Sequence, residues 1–149
     1  MPTESTSAPA APLLDAQLCF ALHDAARAIV GCYRPLLDAA GITYTQYLVL
    51  LVLWEHGTRS VRDLGKALHL DSGTLSPLLK RMEASGLIER RRGTDDERQV
   101  HVDLTADGLA LRERAVEIPN KLHAATGIDA ETLELLARAC KAILEEAER

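Results

Sequence analysis

The sequence is poor in aromatic residues and in cysteines. Aromatic residues make up 3% of its 149 residues, and the three cysteines are Cys19, Cys32 and Cys140. An odd number of cysteines without metal-ligand spacing argues against a disulfide framework and fits a reducing cytosol. The five histidines follow no HxxxH or HxH pattern. We therefore predict neither a bound metal nor a cofactor.

Long apolar runs and targeting segments are also missing. The longest apolar run, residues 47–54, is far too short to span a bilayer. The first twelve residues are rich in Pro, Ala and Ser and contain no basic residue, unlike a secretory signal or a transit peptide. We expect residues 1–12 to form a disordered arm, and residues 13–149 to form one domain of a cytoplasmic protein without a membrane partner.

Positive charge is scarce overall but concentrated in one stretch. The formal net charge is −5, which is unusual for a protein that binds nucleic acid. Between Ser72 and Thr94, however, five basic residues stand against two acidic ones, a local balance of +3. Because the distribution of charge matters more than its total, the sequence allows a DNA-binding surface on an acidic body.

Apolar periodicity predicts six helices and one hairpin. Thr45, Ser60, Thr105 and Asp129 are the predicted N-caps, and Gly41, Gly57 and Gly86 the predicted stops. Pro77 suggests that the fourth helix begins near Thr74. The predicted helices cover about 13–39, 46–56, 61–68, 74–85, 106–125 and from 130 onward, and the strands cover 87–91 and 100–104.

Two helices joined by a tight turn and followed by a hairpin are the outline of a winged helix-turn-helix. Such a unit places one helix in the major groove of duplex DNA. We predict a mainly α fold with a small β-hairpin wing, in which this unit covers about residues 45–104. The helices in about 13–40 and 106–149 lie outside it and carry apolar stripes that a second copy could bury. A homodimer would place two recognition helices about 34–36 Å apart on a pseudo-palindromic operator.

Polar and basic residues at the start of the fourth helix and in the wing are the predicted DNA contacts. Arg98 is the candidate for insertion into the minor groove, with Asp96 orienting it through a salt bridge. The alternative is that the basic run over 90–92 is an ordinary solvated surface. The predicted DNA-binding residues are Ser72, Thr74, Ser76, Lys80, Arg81, Arg90, Arg92, Asp96 and Arg98.

The helix order, the run LLKRMEASGLI and the Asp96-x-Arg98 wing resemble the MarR family of bacterial transcription regulators. The stretches LDAQLCFAL, CYRPLLDAAGITYTQYLVLLVLWE and LDSGTLSPLLKR are similar to its organic hydroperoxide-sensing branch, the OhrR regulators. The resemblance covers essentially the whole chain after the arm. It implies a redox-sensing cysteine at Cys19 and two tyrosines, Tyr33 and Tyr44, that donate hydrogen bonds to its thiolate.

The chemistry of a peroxide sensor fits these residues. Thiolate, not thiol, attacks a peroxide, and Cys19 is expected in the first or second turn of its helix, where the dipole favours an anion. Apolar neighbours such as Leu18 and Phe20 favour organic hydroperoxides over hydrogen peroxide. The simpler alternatives are that Cys19 is a small core residue and the tyrosines are core aromatics. Trp54 is predicted to be a core residue only.

The resemblance is incomplete at the second cysteine of the sensor. Two-cysteine OhrR regulators use a partner near the end of the fifth helix, but the matching stretch NKLHAATGID contains none. Cys32 follows Cys19 by thirteen residues on one helix, about 20 Å away, whereas a disulfide needs Cα atoms within about 7 Å. We expect a mixed disulfide with a small cellular thiol, and pairing with Cys140 across a dimer stays open.

Together these observations predict a DNA-binding repressor that releases its operator when an organic hydroperoxide oxidises Cys19. One alternative is a MarR-type repressor released by a small phenolic or apolar ligand. A second alternative, a cysteine peroxidase, is disfavoured because no basic residue stands beside Cys19 to activate the peroxide. We therefore predict no enzymatic activity.

Overall fold

The computed structural model describes residues 12–149. The predicted arm over 1–12 therefore lies, except for Pro12, outside the described residues. The chain divides into two compact units, one ending at Gly31 and one covering Cys32–Arg149. The predicted mainly helical fold with a small β-sheet is confirmed. The elements are a 3-10 turn at Leu14–Ala16, α1 Leu18–Ala40, α2 Tyr44–His56, β1 Arg59–Ser60, α3 Val61–Leu68, α4 Ser72–Ala84, β2 Ile88–Arg92, β3 Val100–Leu104, α5 Ala106–Ala115, α6 Ile118–Thr126 and α7 Ala130–Ala147.

The first unit contains the 3-10 turn and the first part of α1. The first helix begins at Leu18 and not at Leu13, because the extended backbone at Gln17 separates the 3-10 turn from it. Residues 12–28 are all exposed, including the large apolar side chains of Leu14, Leu18 and Phe20. This unit therefore presents an apolar surface and places Cys19 in the first turn of α1.

In the second unit, α2 begins two residues earlier than predicted. Thr43 Oγ1 accepts a hydrogen bond from the Gln46 amide at 3.3 Å, and Gln46 Oε1 accepts one from the Thr43 amide at 3.1 Å. This reciprocal capping box makes Thr43 the N-cap, so the prediction of Thr45 is wrong. Tyr44 becomes the first residue of the helix.

The core of the second unit is built around α2. The helix is apolar nearly all round, as predicted, and its Val49, Leu50 and Leu53 are buried. The predicted inner face of α4 packs against this core, and all four of its apolar residues are buried: Leu75, Leu78, Leu79 and Met82. Between residues 12 and 149, no single helix is long and apolar enough to cross a membrane, and only α1 with α2, bent by 73°, reaches that length and composition.

The wing is a three-stranded antiparallel sheet in the order β1-β3-β2. The register pairs Ile88 with Leu104 and Arg92 with Val100, and the short β1 adds Arg59 opposite Val102. The hairpin was predicted, but β1 was not, because two residues carry no alternation. Ser60 ends β1 and also caps α3, as predicted, by accepting a hydrogen bond from the Asp63 amide at 3.0 Å.

Two other predicted helix bounds are wrong. The fourth helix begins at Ser72 because Asp71 Oδ1 accepts a hydrogen bond from the Thr74 amide at 2.7 Å, and Pro77 lies inside it. The predicted fifth helix is divided into α5 and α6, since Pro119 stands in the first turn of α6 and lacks the amide that would continue α5. The caps at Thr105 and Asp129 are confirmed.

Candidate functional site

Helix α4, which the sequence predicts to be the recognition helix, has one buried apolar face and one open polar face. Its apolar side chains enter the core, which turns the polar residues between them to the surface. The exposed residues include all five that the sequence selected on this helix: Ser72, Thr74, Ser76, Lys80 and Arg81. The folded helix therefore offers hydroxyl groups and positive charge on a single side.

A groove of about 1180 Å³ lies between α3, α4, the wing and Glu148, which follows α7. It brings together five of the predicted DNA-binding residues, while Thr74, Lys80, Arg81 and Arg92 lie outside its lining. The five are Ser72, Ser76, Arg90, Asp96 and Arg98. Helix α3 adds Arg62 and Lys66, which the sequence analysis missed. Their spacing of four residues on one helix face was the available signal.

Arg90 lies at the base of the wing and is held by Glu83 of α4. Its Nη2 is 3.2 Å from Glu83 Oε1, its Nε is 3.4 Å from Oε2, and its amide donates to Oε2 at 2.9 Å. These hydrogen bonds lower the pKa of Glu83, which keeps the carboxylate charged. The pair joins the last turn of α4 to β2. The Arg90 guanidinium, which was predicted to contact DNA, is therefore already paired with a carboxylate of its own chain.

The next arginine of the wing is also paired. Arg91 Nε donates to Asp103 Oδ2 at 2.5 Å, and Asp103 also accepts a hydrogen bond from the Thr58 hydroxyl. The hydrogen bond from Thr58, followed by that from Arg91, lowers the pKa of Asp103. The segment before β1 is thus fixed to the wing by charge-assisted hydrogen bonds.

At the tip of the wing, Asp96 orders the backbone and not the arginine side chain. Its Oδ1 accepts a hydrogen bond from the Arg98 amide at 3.0 Å. Within residues 12–149 no ion pair joins the two side chains, so the predicted salt bridge is wrong. Gly93 donates to Gln99 O at 2.8 Å to close the turn, and Arg98 is exposed at the groove.

The predicted tyrosine pair is close together in the second unit. The ring centroids of Tyr33 and Tyr44 are 5.2 Å apart, and those of Tyr33 and Tyr47 are 5.9 Å apart. Burial, and then the neighbouring tyrosines, raise the pKa of Tyr33, so its hydroxyl stays protonated and able to donate. Within residues 32–149, neither hydroxyl of the pair has a hydrogen-bond partner.

All three cysteines carry free thiols. Cys19 is exposed in the first unit, Cys32 is half-buried, and Cys140 is exposed on α7 in the second unit. Among the residues that the structure describes, no group of three His, Cys, Asp or Glu side chains could hold a metal ion. The assignment of Cys19 as a sensor served by Tyr33 and Tyr44 stays a prediction.

Comparison with known proteins decides the family. The sequence matches the model of the transcriptional regulator SarA/Rot over residues 32–115. It is 49% identical over 132 residues to the organic hydroperoxide resistance transcriptional regulator of Bacillus subtilis (strain 168), covering 89% of this chain and 90% of that protein. The chain belongs to the MarR/SarA family of winged-helix transcription regulators.

Solved structures of MarR/SarA regulators agree with this assignment. Reduced AbfR bound to DNA matches with a TM-score of 0.76 and 33% identity, over 91% of this chain and 95% of that one. Bordetella bronchiseptica BpsR, whose DNA binding is regulated by 6-hydroxynicotinic acid, matches with a TM-score of 0.81 over 90% and 97% of the two chains. At 24% identity, BpsR supports the fold alone. This MarR/SarA regulator binds DNA, and α3, α4 and the β2–β3 wing form its winged helix-turn-helix.

Proposed function

We propose that this regulator is a homodimeric, cytoplasmic repressor that senses organic hydroperoxides through Cys19. The observation that carries the proposal is the exposed thiol in the first turn of α1, together with two tyrosine hydroxyls that have no hydrogen-bond partner among residues 12–149. The relative from Bacillus subtilis, described as an organic hydroperoxide resistance regulator, supports the same assignment. Reduced protein would bind a pseudo-palindromic operator, and oxidised protein would release it.

The homodimer is supported by apolar surface that one chain leaves exposed. Helix α7 has 18 residues, and none of them is buried. Even its apolar side chains are open, since Leu136 and Leu144 are 44% and 50% exposed. In the first unit, Leu14 and Leu18 are 61% and 63% exposed. Burying such side chains stabilises an assembly by roughly 25 cal/mol per Å² of apolar surface. A second copy is the simplest source of that cover.

The length of α1 constrains where the sensor is assembled. Fourteen residues separate Cys19 from Tyr33 in the sequence, and both belong to α1. At a rise of 1.5 Å per residue they are about 20 Å apart along the helix, too far for a hydrogen bond within one chain. We therefore propose that the tyrosine hydroxyls that reach each Cys19 come from the partner subunit.

The proposed reaction is a two-electron oxidation of sulfur. The Cys19 thiolate attacks the distal oxygen of the hydroperoxide, an S–O bond forms and the O–O bond breaks. The leaving alkoxide takes up a proton to become an alcohol, and Cys19 becomes a sulfenic acid. The helix N-terminus and the donated tyrosine hydrogen bonds stabilise the thiolate before attack, and both stabilising effects weaken when the product is neutral.

The sulfenic acid then reacts with a thiol. A small cellular thiol attacks the sulfur, water leaves, and a mixed disulfide forms. The added group would need space among the helices around Cys19. In the proposed dimer, this movement would change the spacing of the two recognition helices and release the operator.

On the operator, α4 would enter the major groove with its hydroxyl groups and Lys80 facing the DNA. Arg98, exposed at the tip of the wing, would reach the minor groove. Arg81 and Arg92 would contact phosphates, and Arg62 and Lys66 of α3 join the list of candidates because they line the groove. Arg90 remains a candidate, but its pairing with Glu83 favours a role in holding the wing.

The test measures operator binding before and after oxidation. A duplex selected from a random pool by the reduced protein is titrated with wild type and Cys19→Ser, with and without one equivalent of cumene hydroperoxide and a small thiol. We expect release by the wild type alone, with an intact mass that shows one added thiol per chain.

The matched controls are Cys32→Ser and Cys140→Ser, which should both release like the wild type. Failure of Cys140→Ser to release would make Cys140 the second cysteine of the switch. If Cys19→Ser releases as well as the wild type, or if neither releases, the sensor proposal is contradicted. A small phenolic or apolar ligand would then be the inducer to seek.

A further inference from the structure

A continuous series of aromatic rings leads from the tyrosine pair to the end of α2. Tyr33 lies 5.2 Å from Tyr44 and 5.9 Å from Tyr47 between ring centroids, and Tyr47 lies 6.3 Å from Trp54 in an edge-on arrangement. These spacings are those of direct aromatic contacts. We call Tyr44, Tyr33, Tyr47 and Trp54 the aromatic chain.

The aromatic chain ends in a hydrogen bond to another helix. Trp54 Nε1 donates to Gly108 O at 2.9 Å, which joins the last turn of α2 to the first turn of α5. Trp54 was predicted to be a core residue only, but its ring is half-buried and its indole nitrogen has a specific hydrogen-bond partner. A polar contact between two helices fixes geometry in a way that apolar packing alone does not.

Gly108 is also the point where α5 rests on the residues that follow the recognition helix. A Cβ at Gly108 would lie 2.1 Å from Leu87 O, so the two backbones touch. The Thr105 hydroxyl donates to Gly86 O at 2.5 Å, and the Thr105 amide donates to Leu87 O at 3.1 Å. The first turn of α5 therefore cannot move without displacing the junction between α4 and β2.

We propose that Trp54 is a positioning residue that couples the tyrosine pair to the recognition helix. This inference rests on the proposed sensor function. When the sulfur that the tyrosines hold changes charge and size, Tyr33 and Tyr44 shift against Tyr47, and Tyr47 shifts against Trp54. The hydrogen bond to Gly108 then transmits the displacement to α5 and to the start of the wing.

The first experiment uses Trp54→Phe, which keeps an aromatic ring and removes the donor. Operator affinity is measured for reduced and oxidised protein, together with the rate of Cys19 oxidation by cumene hydroperoxide. We expect reduced affinity and oxidation rate to stay within about threefold of wild type. The ratio of oxidised to reduced Kd, expected at about 5–150 in the wild type as for other allosteric couplings, should fall below about 3.

The matched control is Glu55→Gln, an exposed neighbour on the same turn of α2, which should keep the wild-type ratio. Trp54→Phe with a wild-type ratio would overturn the proposal. A merely structural role is excluded by the measurement itself, because loss of folding would change the oxidation rate and the reduced affinity as well.

A second experiment does not depend on peroxide. Coupling is reciprocal, so operator binding must change the surroundings of Trp54, the single tryptophan of the sequence. We expect its fluorescence emission to change when reduced Cys19→Ser protein binds operator. Unchanged emission would overturn the coupling. If the wild type does not respond to hydroperoxide but its emission changes on DNA, the sensor proposal fails, and the link between Trp54 and the recognition helix stands.

Discussion

The recognition helix α4 and the last helix α7 are both amphipathic, but only α4 is packed within its own chain. Four apolar side chains of α4 are buried, whereas α7 is longer and buries none. The apolar stripe of α4 meets α2, α3 and β2, and that of α7 stays open at Leu133, Leu136, Ile143 and Leu144. The apolar face of α4 is therefore covered within one chain, whereas α7 leaves its apolar stripe exposed, which is the surface that the proposed homodimer would cover.

Substitutions in α7 test whether this helix is the interface of the proposed dimer. We expect the double substitution Leu136→Glu and Leu144→Glu to convert the proposed dimer to monomers, because charges would enter the proposed interface. Operator affinity should fall by about 100-fold or more, since two linked reading heads bind far more tightly than one. Sedimentation velocity and operator titration measure the two effects.

The control for that experiment is Leu135→Glu. Leu135 is 59% exposed and lies on the opposite side of α7 from the stripe. Its variant should remain dimeric and bind operator like the wild type. A dimeric double variant would move the interface away from α7.

A cavity-forming substitution tests how tightly the buried face of α4 is packed. Leu79 is 1% exposed, so Leu79→Ala should lower the free energy of unfolding by about 2–5 kcal/mol. On α7, Leu135→Ala should change it by less than about 0.5 kcal/mol, as expected for an exposed site. Urea unfolding at a fixed protein concentration compares the two. Equal losses would show that α7 is packed as tightly as α4.

Acid should weaken the attachment of α4 to the wing. Because Arg90 lowers the pKa of Glu83 in the folded state, the pair stabilises the protein above the ordinary glutamate pKa of 4.5. That stabilisation is lost as the pH falls through the lower, folded value. Glu83→Gln should therefore lose less of its free energy of unfolding than wild type between pH 6 and pH 3.

Urea unfolding across this range gives the measurement, and Glu89→Gln is the control. Glu89 is exposed on β2, next to Arg90, and has no ion-pair partner among residues 12–149. Its variant should follow the wild-type pH dependence. A wild-type pH dependence in Glu83→Gln would contradict a stabilising role for the pair.

The smallest expected effect is a change in the salt dependence of operator binding. It should differ between Arg98 at the tip of the wing and Arg90 at its base. Arg98→Gln should reduce the slope of log K against log salt by about one, because one positive charge fewer enters the minor groove and displaces counterions from the DNA. Arg90→Gln should leave the slope unchanged, because Glu83 already holds that charge. The slopes come from operator titrations at four or more salt concentrations. A reduced slope for Arg90→Gln would return Arg90 to the DNA contacts.

Much of the fold could be predicted because helix ends carry local signals. Ser60, Thr105 and Asp129 cap helices as expected, since each hydroxyl or carboxylate bonds an amide three residues later. Two threonines flank Tyr44, and each could have capped α2. The reciprocal bond with Gln46 decides for Thr43, and the spacing Thr43-x-x-Gln46 of a capping box was the sequence signal for it.

The candidate site was predicted as a set of residue types more successfully than as a set of contacts. Exposure of the polar face of α4 follows from helical periodicity, and the proximity of Tyr33 and Tyr44 came with the resemblance. Glu83 lies at the end of α4 and Arg90 lies on β2, so the pair joins two different elements. The spacing rules for ion pairs within one helix or one strand therefore do not predict it. Asp96 accepts a hydrogen bond from the Arg98 amide, because an aspartate side chain in a turn readily bonds the backbone two residues later. The flexible Arg98 side chain is therefore left unpaired with Asp96.

Ser60 belongs to both the sheet and α3, as the last residue of β1 and the N-cap of the helix. No free linker separates the wing from the helix-turn-helix at this point. Insertions tolerated in ordinary surface loops should be rejected here, because even one extra residue would break either the strand pairing or the cap. An engineer who transfers this DNA-binding unit to another protein would do best to cut before Thr43, the N-cap of α2, so that α2, the sheet, α3 and α4 stay in one piece.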